Sequence, residues 1–177
     1  MEKYKMTIAG LERELPICRI NDNLSIAAFI MFNDVELTIA AAKELLAKCP
    51  EFDIILTPEA KSIPLAYEMA RQSGKPYLVA RKGKKLYMHD PVRVEVKSIT
   101  TENNQQLWID QSDVELMRGK KVLIVDDVIS TGNSLNAVIE LAKRFGAEIA
   151  ACAAVLAEGE AAERQDIIFL EPLPLFD

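Results

Sequence analysis

Two adjacent carboxylates, Asp126 and Asp127, follow a short apolar segment and precede a loop of small and hydroxyl residues. Three of the four apolar residues at 122–125 are β-branched, which is typical of a strand buried on both faces inside a parallel sheet. After the loop, apolar residues recur at helical spacing from Leu135 to Ala142, and Gly146 stands where a helix would end. The pattern therefore predicts a strand, a tight loop and a helix in succession.

A loop between a strand and a helix N-terminus is suited to binding an anion. Its amides and the positive end of the helix dipole face a phosphate, and the hydroxyls of Ser130, Thr131 and Ser134 add donors. Because like charges repel, Asp126 and Asp127 suit instead the hydroxyls of an attached sugar, or an Mg²⁺ ion that accompanies it. These residue types in this order predict a site for a sugar phosphate.

The elements around this loop predict the sheet that would position it. Helical spacing between residues 63 and 70 predicts a helix that ends at Ser73-Gly74. Short apolar segments predict further strands at 53–57, 76–80, 148–156 and 167–170. Strands and helices that alternate after residue 50 predict a doubly wound parallel sheet, in which ligands bind at the carboxyl ends of the strands.

Two segments depart from this alternation. The N-terminal third forms no repeated strand–helix unit and reads as an attached lobe, with a helix capped by Asn33 and carrying Glu36 three residues later. Residues 81–106 begin with a basic run and continue into an alternating strand at 92–96, and 107–109 read as its returning strand. We expect a hairpin there that folds over the site as a lid.

Composition excludes several other classes of protein. The chain has 177 residues and a net charge of −6, which suits one soluble domain and argues against general binding to nucleic acid or anionic membranes. No run approaches the roughly 20 apolar residues of a membrane span. The three cysteines are isolated in apolar surroundings, as in a cytoplasmic protein without disulfides, and the single histidine, His89, gives a metal site or a Ser-His-Asp triad little support.

At residues 124–132 the sequence resembles the phosphoribosyl pyrophosphate (PRPP) loop of the type I phosphoribosyltransferases. The resemblance rests on two hydrophobic positions, paired acids, two more hydrophobic positions, a variable residue and Thr-Gly. It implies a single phosphoribosyltransferase domain over 1–177, with a hood and leading helix at 1–50. Residues 51–177 would form the PRPP-binding core, with a flexible β-hairpin lid at about 81–106.

The resemblance also implies a role for each matching residue. Asp126 and Asp127 would hold the ribose hydroxyls, with Mg²⁺ nearby, and the phosphate would lie in a cradle formed by Ser130, Thr131, Gly132, Asn133 and Ser134. Ala60-Lys61 would form the pyrophosphate loop, where this family often has a strained or cis peptide. Arg81, Lys82 and Lys85 match the positions that meet the charge of the pyrophosphate, in some relatives the pyrophosphate bound by the partner subunit of a homodimer. Taken without the resemblance, this run is a solvated basic turn.

The implied reaction is displacement of pyrophosphate from C1 of PRPP by a ring nitrogen of a purine. Ser130 is small, as in adenine- and xanthine-type enzymes, whereas hypoxanthine–guanine enzymes carry an acid there. The candidate base-binding residues are Phe29, Ile30, Met31, Val128 and Glu158. Phe29 is either a stacking ring or plain core. Met31 and Glu158 fit a purine with an exocyclic amine better than one with two carbonyls, so adenine is the expected base and xanthine or hypoxanthine the alternative.

One departure concerns the lid. Adenine-type enzymes tend to carry a Glu-Tyr pair in the mobile loop, whereas residues 100–103 here contain Glu102 without a tyrosine. Glu102 is therefore either the catalytic carboxylate beside the purine or a solvated glutamate.

Two other classes of protein share the PRPP loop. A regulator that senses PRPP without catalysis usually adds a DNA-binding domain, and no basic helix-turn-helix is present in these residues. An orotate-type transferase would share residues 126–134 and differ in the hood. The expected protein is therefore the purine enzyme, acting on PRPP and a base, and the resemblance implies a homodimer.

Overall fold

The computed structural model describes residues 2–96 and 105–176. The strands are β1 (Lys3–Ile8), β2 (Leu11–Asn21), β3 (Leu24–Ala27), β4 (Ile54–Pro58), β5 (Tyr77–Ala80), β6 (Val92–Val96), β7 (Gln105–Ile109), β8 (Lys121–Ile129), β9 (Glu148–Glu158), β10 (Ile168–Leu173) and β11 (Leu175–Phe176). The helices are α1 (Val35–Lys48), α2 (Ile63–Ser73), α3 (Gln111–Met117) and α4 (Asn133–Arg144), with a 3-10 helix at Gly159–Glu163. Within these ranges no helix combines the length and apolarity that crossing a bilayer requires.

Five parallel strands form the central sheet, in the order β10-β9-β8-β4-β5. Its strands are apolar on both faces because helices cover both. Ile55 and Leu123 pack with residues of α1 and α2, whereas Ile54, Leu56 and Ile124 pack with residues of α3 and α4. This arrangement confirms the predicted doubly wound parallel sheet.

The direction of the chain connections reverses between β4 and β8. The connection through α2 leads from β4 to the edge strand β5, and the connection through α4 leads from β8 to β9 on the other side. The pairing of β4 with β8 covers only Ile54–Leu56 and ends at Ile124, whereas β8 stays paired with β9 as far as Ile129. The two strands therefore separate at their carboxyl ends, which opens a crevice at the point where such sheets bind ligands.

A second, antiparallel sheet forms the N-terminal lobe, in the order β1-β2-β3-β11. Strand β11, which the sequence did not predict, pairs Leu175 with Ile26, and the Phe176 ring contacts Tyr4 edge-on at 5.2 Å between centroids. The C-terminal residues thus hold the lobe against the central sheet. The division at residue 50 stays a prediction, since α1 packs in the same apolar cluster as α2.

Strands β6 and β7 form the predicted antiparallel hairpin, with Val94 opposite Leu107 and both side chains buried. Residues 97–104, including Glu102, lie outside the described residues, so the hairpin tip and its role as a lid stay predictions. Helix α3, which the sequence analysis did not identify, follows β7 directly. Asp110 caps it by accepting a hydrogen bond from the Ser112 amide at 3.2 Å.

The predicted N-cap of α1, Asn33, was wrong by one residue. Asp34 is the cap, and its Oδ1 accepts the Leu37 amide at 3.1 Å, while Asn33 adopts a left-handed backbone (φ 68°) in the preceding turn. The same carboxylate receives Nε and Nη2 of Arg13 from β2, at 2.7 and 3.0 Å. Asp34 therefore both begins the helix and joins it to the N-terminal sheet, and the Arg13 contact holds the pKa of Asp34 below its usual range.

We expect Asp34→Ala to lower the free energy of unfolding by about 1–2 kcal/mol, because it removes a helix cap and the partner of Arg13. Urea unfolding followed by circular dichroism measures the change. The matched control is Glu36→Ala, which removes a mostly exposed contact with Arg13 and should cost at most about 0.5 kcal/mol. Equal losses in the two variants would show that capping by Asp34 contributes nothing.

Candidate active site

A cavity of about 310 Å³ lies in the crevice at the carboxyl ends of β4 and β8. Three segments that the sequence predicted to act together form its wall: the acid pair, the phosphate loop and the pyrophosphate loop. The lining residues are Pro58, Glu59, Ala60, Lys61, Ser62, Lys82, Asp126, Asp127, Val128, Ile129, Ser130, Thr131, Gly132, Ser134 and Leu135. The sheet topology thus brings together segments that are far apart in the sequence.

The acid pair lies inside β8, not after it, because β8 stays paired with β9 beyond residue 125; Asp126, for example, is opposite Ala154. The Asp127 side chain is buried, and the Asp127 amide donates to Oδ1 of Asp126 at 2.9 Å. Nζ of Lys61 lies 3.1 Å from Oδ2 of Asp127 without forming a hydrogen bond, so this buried oxygen has no hydrogen-bond partner among the described residues.

Burial and the adjacent Asp127 carboxyl raise the pKa of Asp126 well above the usual range for an aspartate. The hydrogen bond from the Asp127 amide and the charge of Lys61 lower the pKa of Asp126 and only partly offset this effect. The pair is therefore short of positive charge. Ligands that would restore the balance are a cation or hydroxyl donors, because both favour the ionised form of a carboxylate.

The phosphate loop runs from Ser130 into the first turn of α4. Gly132 has a φ of 82°, a left-handed conformation that favours glycine, and it directly precedes the helix. A side chain at this position would also meet Nη1 of Arg164, which lies 2.8 Å from where its Cβ would be. Asp166 fixes that guanidinium through bonds of 2.9 and 2.7 Å.

Amides at a helix N-terminus, with the hydroxyls of Ser130, Thr131 and Ser134, suit a phosphate group. Asn133 is the first residue of α4 and belongs to the same loop. The sequence analysis missed Arg164, because nothing local links it to a glycine on another element. Its contact with Gly132 is visible only in the folded chain.

The pyrophosphate loop contains a cis peptide bond between Glu59 and Ala60, one bond before the position suggested by the resemblance. Lys61 is exposed and lies on the wall of the cavity. Ser62 is buried and directly precedes α2, at its N-cap position. The loop therefore presents one cation and its own backbone to the crevice.

Glu59 contacts the basic segment at 81–85 through its carboxylate. Its Oε1 lies 3.3 Å from Nη2 of Arg81 and 3.7 Å from Nζ of Lys85, and its Oε2 accepts the Lys82 amide at 2.9 Å. The Lys82 amide bond, together with the charges of Arg81 and Lys85, lowers the pKa of Glu59. Of the three predicted pyrophosphate cations, only Lys82 lines the cavity. No sequence pattern indicates this role of Glu59.

The structure separates the predicted base-binding residues. Phe29 and Met31 are buried in the core beside α1, whereas Ile30 between them is exposed, because side chains alternate in this extended segment. Val128 lines the cavity, and Glu158 is half-buried at the end of β9. The burial of Phe29 matches the plain-core interpretation.

The donor set fits an Mg²⁺ ion that arrives with its substrate. The described residues contain no group of three or more His, Cys, Asp or Glu side chains that could hold a metal alone. They do provide two adjacent carboxylates, one with a buried oxygen that lacks a hydrogen-bond partner. Mg²⁺ typically binds one or two carboxylates, waters and substrate phosphates, and such an ion suits this pair.

Comparison with known proteins gives a consistent result. The phosphoribosyl transferase domain family matches residues 31–172. An adenine phosphoribosyltransferase of Thermotoga neapolitana is 39% identical over 104 residues, which cover 58% of this chain and 58% of that protein. A hypoxanthine/guanine phosphoribosyltransferase of Methanotorris igneus is 38% identical over 109 residues, covering 61% of this chain and 55% of that protein.

The chain thus spans little more than half the length of the curated relatives it matches. Among solved structures, adenine phosphoribosyltransferase from Thermoanaerobacter pseudethanolicus superposes with a TM-score of 0.66 at 24% identity, covering 80% of this chain and 84% of that one. At that identity the similarity establishes the fold.

The raised pKa of Asp126 predicts a pH-dependent stability. The folded chain binds this proton more tightly than the unfolded chain, so stability falls as pH rises from the ordinary aspartate pKa of about 4 through the raised value. We therefore expect Asp126→Asn, measured without phosphate or Mg²⁺, to unfold at a higher temperature than the wild type. Its advantage should be larger at about pH 9 than at about pH 5.

Differential scanning calorimetry of both proteins at the two pH values measures this effect. The control is Asp22→Asn, because the Asp22 side chain is 95% exposed and should give no pH-dependent gain. The raised pKa would be contradicted if the difference in unfolding temperature between Asp126→Asn and the wild type were the same at both pH values.

Proposed function

Because the chain belongs to the phosphoribosyltransferase family, we propose that it transfers the phosphoribosyl group of PRPP to a purine base, adenine foremost, with release of pyrophosphate. The observation that carries the proposal is the single cavity shared by the acid pair, the phosphate loop and the pyrophosphate loop. A molecule with a phosphate at one end, a pyrophosphate at the other and a diol between them matches those three segments in order.

Each segment then has one task. The amides and hydroxyls of residues 130–134 hold the 5-phosphate, and Asp126 with Asp127 accepts hydrogen bonds from the ribose 2- and 3-hydroxyls. The Ala60-Lys61 loop and Lys82 face the pyrophosphate. Mg²⁺, when bound, neutralises charge that develops on the leaving pyrophosphate.

The chemistry of the reaction is mainly electrostatic. As the bond from C1 to pyrophosphate breaks, the ribose gains oxocarbenium character and the leaving group gains negative charge. Lys61 and Lys82 stabilise that negative charge, and the carboxylates beside the sugar suit its positive charge. Water must be kept from C1, which is the proposed task of the β6–β7 hairpin.

Adenine is the proposed base for two reasons. Ser130 leaves no acid next to Thr131, and Glu158 offers an acceptor for an exocyclic amine. With Phe29 and Met31 in the core, Ile30 and Val128 are the apolar candidates for the faces of the purine ring. The chain matches the adenine enzyme and the hypoxanthine/guanine enzyme over similar lengths of sequence. A 6-oxopurine is therefore the competing substrate.

The proposed activity is tested by offering adenine, hypoxanthine, guanine, xanthine and orotate separately with PRPP and Mg²⁺. We expect nucleotide formation mainly from adenine. Preference for an oxopurine would contradict adenine as the base but would still support the proposed phosphoribosyltransferase activity. Binding of PRPP without reaction of any base would instead indicate a PRPP sensor.

For the base site, we expect Glu158→Gln to raise KM for adenine by about tenfold and leave KM for PRPP within about twofold, because one charge-assisted hydrogen bond is lost. Steady-state kinetics with each substrate varied in turn measures the two constants. Glu160→Gln, an exposed neighbour in the 3-10 helix, is the matched control and should change neither. Equal effects of the two substitutions would exclude Glu158 from the base site.

We also propose a homodimer formed through an apolar face next to the pyrophosphate loop. Phe32, Val35, Ile39 and Tyr67 are each about half exposed or more and surround a groove of about 510 Å³. Ile63, at the start of α2, lies in the same groove and follows the pyrophosphate loop directly. Exposed apolar patches of this kind mark interaction sites, and a second copy of the chain placed here would adjoin the active site.

Light scattering coupled to size-exclusion chromatography tests the homodimer. We expect a dimer for the wild type and a monomer for Ile39→Glu, because a charge would be buried in the interface. Leu116→Glu, an exposed residue on α3, should remain dimeric as the control. A monomeric wild type at concentrations of about 50 μM, well above typical dissociation constants of stable dimers, would contradict the proposal.

A cytoplasmic location is also proposed. Cys18, Cys49 and Cys152 are free thiols, and burial raises the pKa of Cys49 and Cys152 to about 11. Unpaired, unreactive thiols suit a reducing compartment.

A further inference from the structure

Two fully buried hydroxyl side chains connect the pyrophosphate loop to the strand that carries the acid pair. Thr57, the penultimate residue of β4, and Ser62, the last loop residue before α2, are both almost completely buried. Their oxygens lie 2.7 Å apart. Oγ1 of Thr57 also lies 2.8 Å from the carbonyl oxygen of Val125, the residue immediately before Asp126. The connection joins β4, the loop and β8.

The number of hydroxyl protons determines which group donates and which accepts in each of these hydrogen bonds. A carbonyl can only accept, so the single hydroxyl proton of Thr57 is donated to Val125 O. The Thr57 oxygen then accepts, and the proton in its bond with Ser62 comes from the serine. Ser62 also lies 3.1 Å from the carbonyl oxygen of Pro58, a longer and competing acceptor. The relay therefore runs from Ser62 through Thr57 to Val125.

The relay occupies the place where backbone pairing stops. The ladder between β4 and β8 ends at Leu56 and Ile124, so one residue further the Val125 carbonyl has no amide of β4 opposite it. The Thr57 side chain takes that place. A hydroxyl thus bridges the two strands at the point where they separate to form the crevice.

We propose that Thr57 and Ser62 are positioning residues that hold the pyrophosphate loop at a fixed distance from Asp126 and Asp127. This inference rests on the proposed function, because it assigns the two walls to the two ends of PRPP. Both side chains are almost completely buried, and of the two only Ser62 lines the cavity. They set the distance between the phosphate loop and the pyrophosphate loop, which must match the length of one substrate molecule.

A purely structural role makes a different prediction from a positioning role. If Thr57 only stabilised the core, its loss would lower stability without changing the relative affinity for the two ends of the substrate. If it positions the loop, the affinity for pyrophosphate falls while the affinity for ribose 5-phosphate, held by β8 and the phosphate loop, is retained. The two ligands thus separate the alternatives without requiring turnover.

The experiment is isothermal titration calorimetry of the full chain with Mg²⁺ and either inorganic pyrophosphate or ribose 5-phosphate. Thr57→Val keeps the shape and removes the hydroxyl, and Thr57→Ser keeps the hydroxyl. We expect Thr57→Val to weaken pyrophosphate binding by about tenfold, as for one lost buried hydrogen bond, and to leave ribose 5-phosphate within about twofold. Thr57→Ser should bind both ligands like the wild type.

Ser62→Ala provides a second, milder variant should Thr57→Val fail to fold. It removes one bond of the relay but keeps the bond from Thr57 to Val125, so pyrophosphate binding should weaken by about threefold with ribose 5-phosphate unaffected. The positioning role is overturned if the folded variants bind pyrophosphate like the wild type, or lose both ligands equally. A wild type that binds neither ligand overturns the proposed function itself.

Discussion

The repulsion between two adjacent carboxylates at the end of a buried strand is the constraint on which the site depends. Asp126 and Asp127 lie at the carboxyl end of β8, where desolvation and mutual repulsion both disfavour the doubly ionised pair. The fold offsets this only in part, through the Asp127 amide and the nearby ammonium of Lys61. The remaining instability is removed when hydroxyl donors or a cation enter, so the interaction that weakens the free protein favours its ligand.

The central sheet makes that arrangement tolerable. On either side of the acids, apolar strands are buried by helices on both faces, and burial of one such side chain contributes about 1.5–3 kcal/mol. The same sheet creates the crevice, since β4 and β8 belong to connections that run in opposite directions and separate after Leu56 and Ile124. One feature of topology thus opens the cavity and places the acids at its edge.

Segments with strong periodicity could be predicted from the sequence, and elements that depend on distant partners could not. Strand β8, helix α4 and the phosphate loop follow from residues that are neighbours in the chain. Strand β11 has only two residues and exists because it pairs with β3, which lies at the other end of the sequence. The N-cap was misplaced because Asn33 and Asp34 are both good capping residues, and the contact of Asp34 with Arg13, which is distant in the sequence, could not be foreseen.

The same limit applies within the site. The types of residue at 126–134 indicate their chemistry without any knowledge of the fold, because the acids, hydroxyls and glycine are contiguous. The alternation of burial across Phe29, Ile30 and Met31 depends on how the hood segment packs, and a run of apolar residues carries no such information. Likewise, Arg164 and Thr57 act through contacts with residues far away in the sequence, Gly132 and Val125.

The distribution of charge is compatible with the polyanionic substrate that we propose, although the chain has a net charge of −6. Cations at the crevice already lie beside carboxylates of the same chain: Lys61 beside Asp127, and Arg81 and Lys85 beside Glu59. The Glu59 carboxylate is thus the anion that the basic segment contacts in the free protein. Because the Glu59 carboxylate also accepts the amide of Lys82, it fixes the backbone of the residue of this segment that lines the cavity, and less conformational entropy is lost when the proposed pyrophosphate binds there. Pre-organisation by an internal carboxylate therefore characterises this wall of the crevice, whereas the acid pair on the other wall remains short of positive charge.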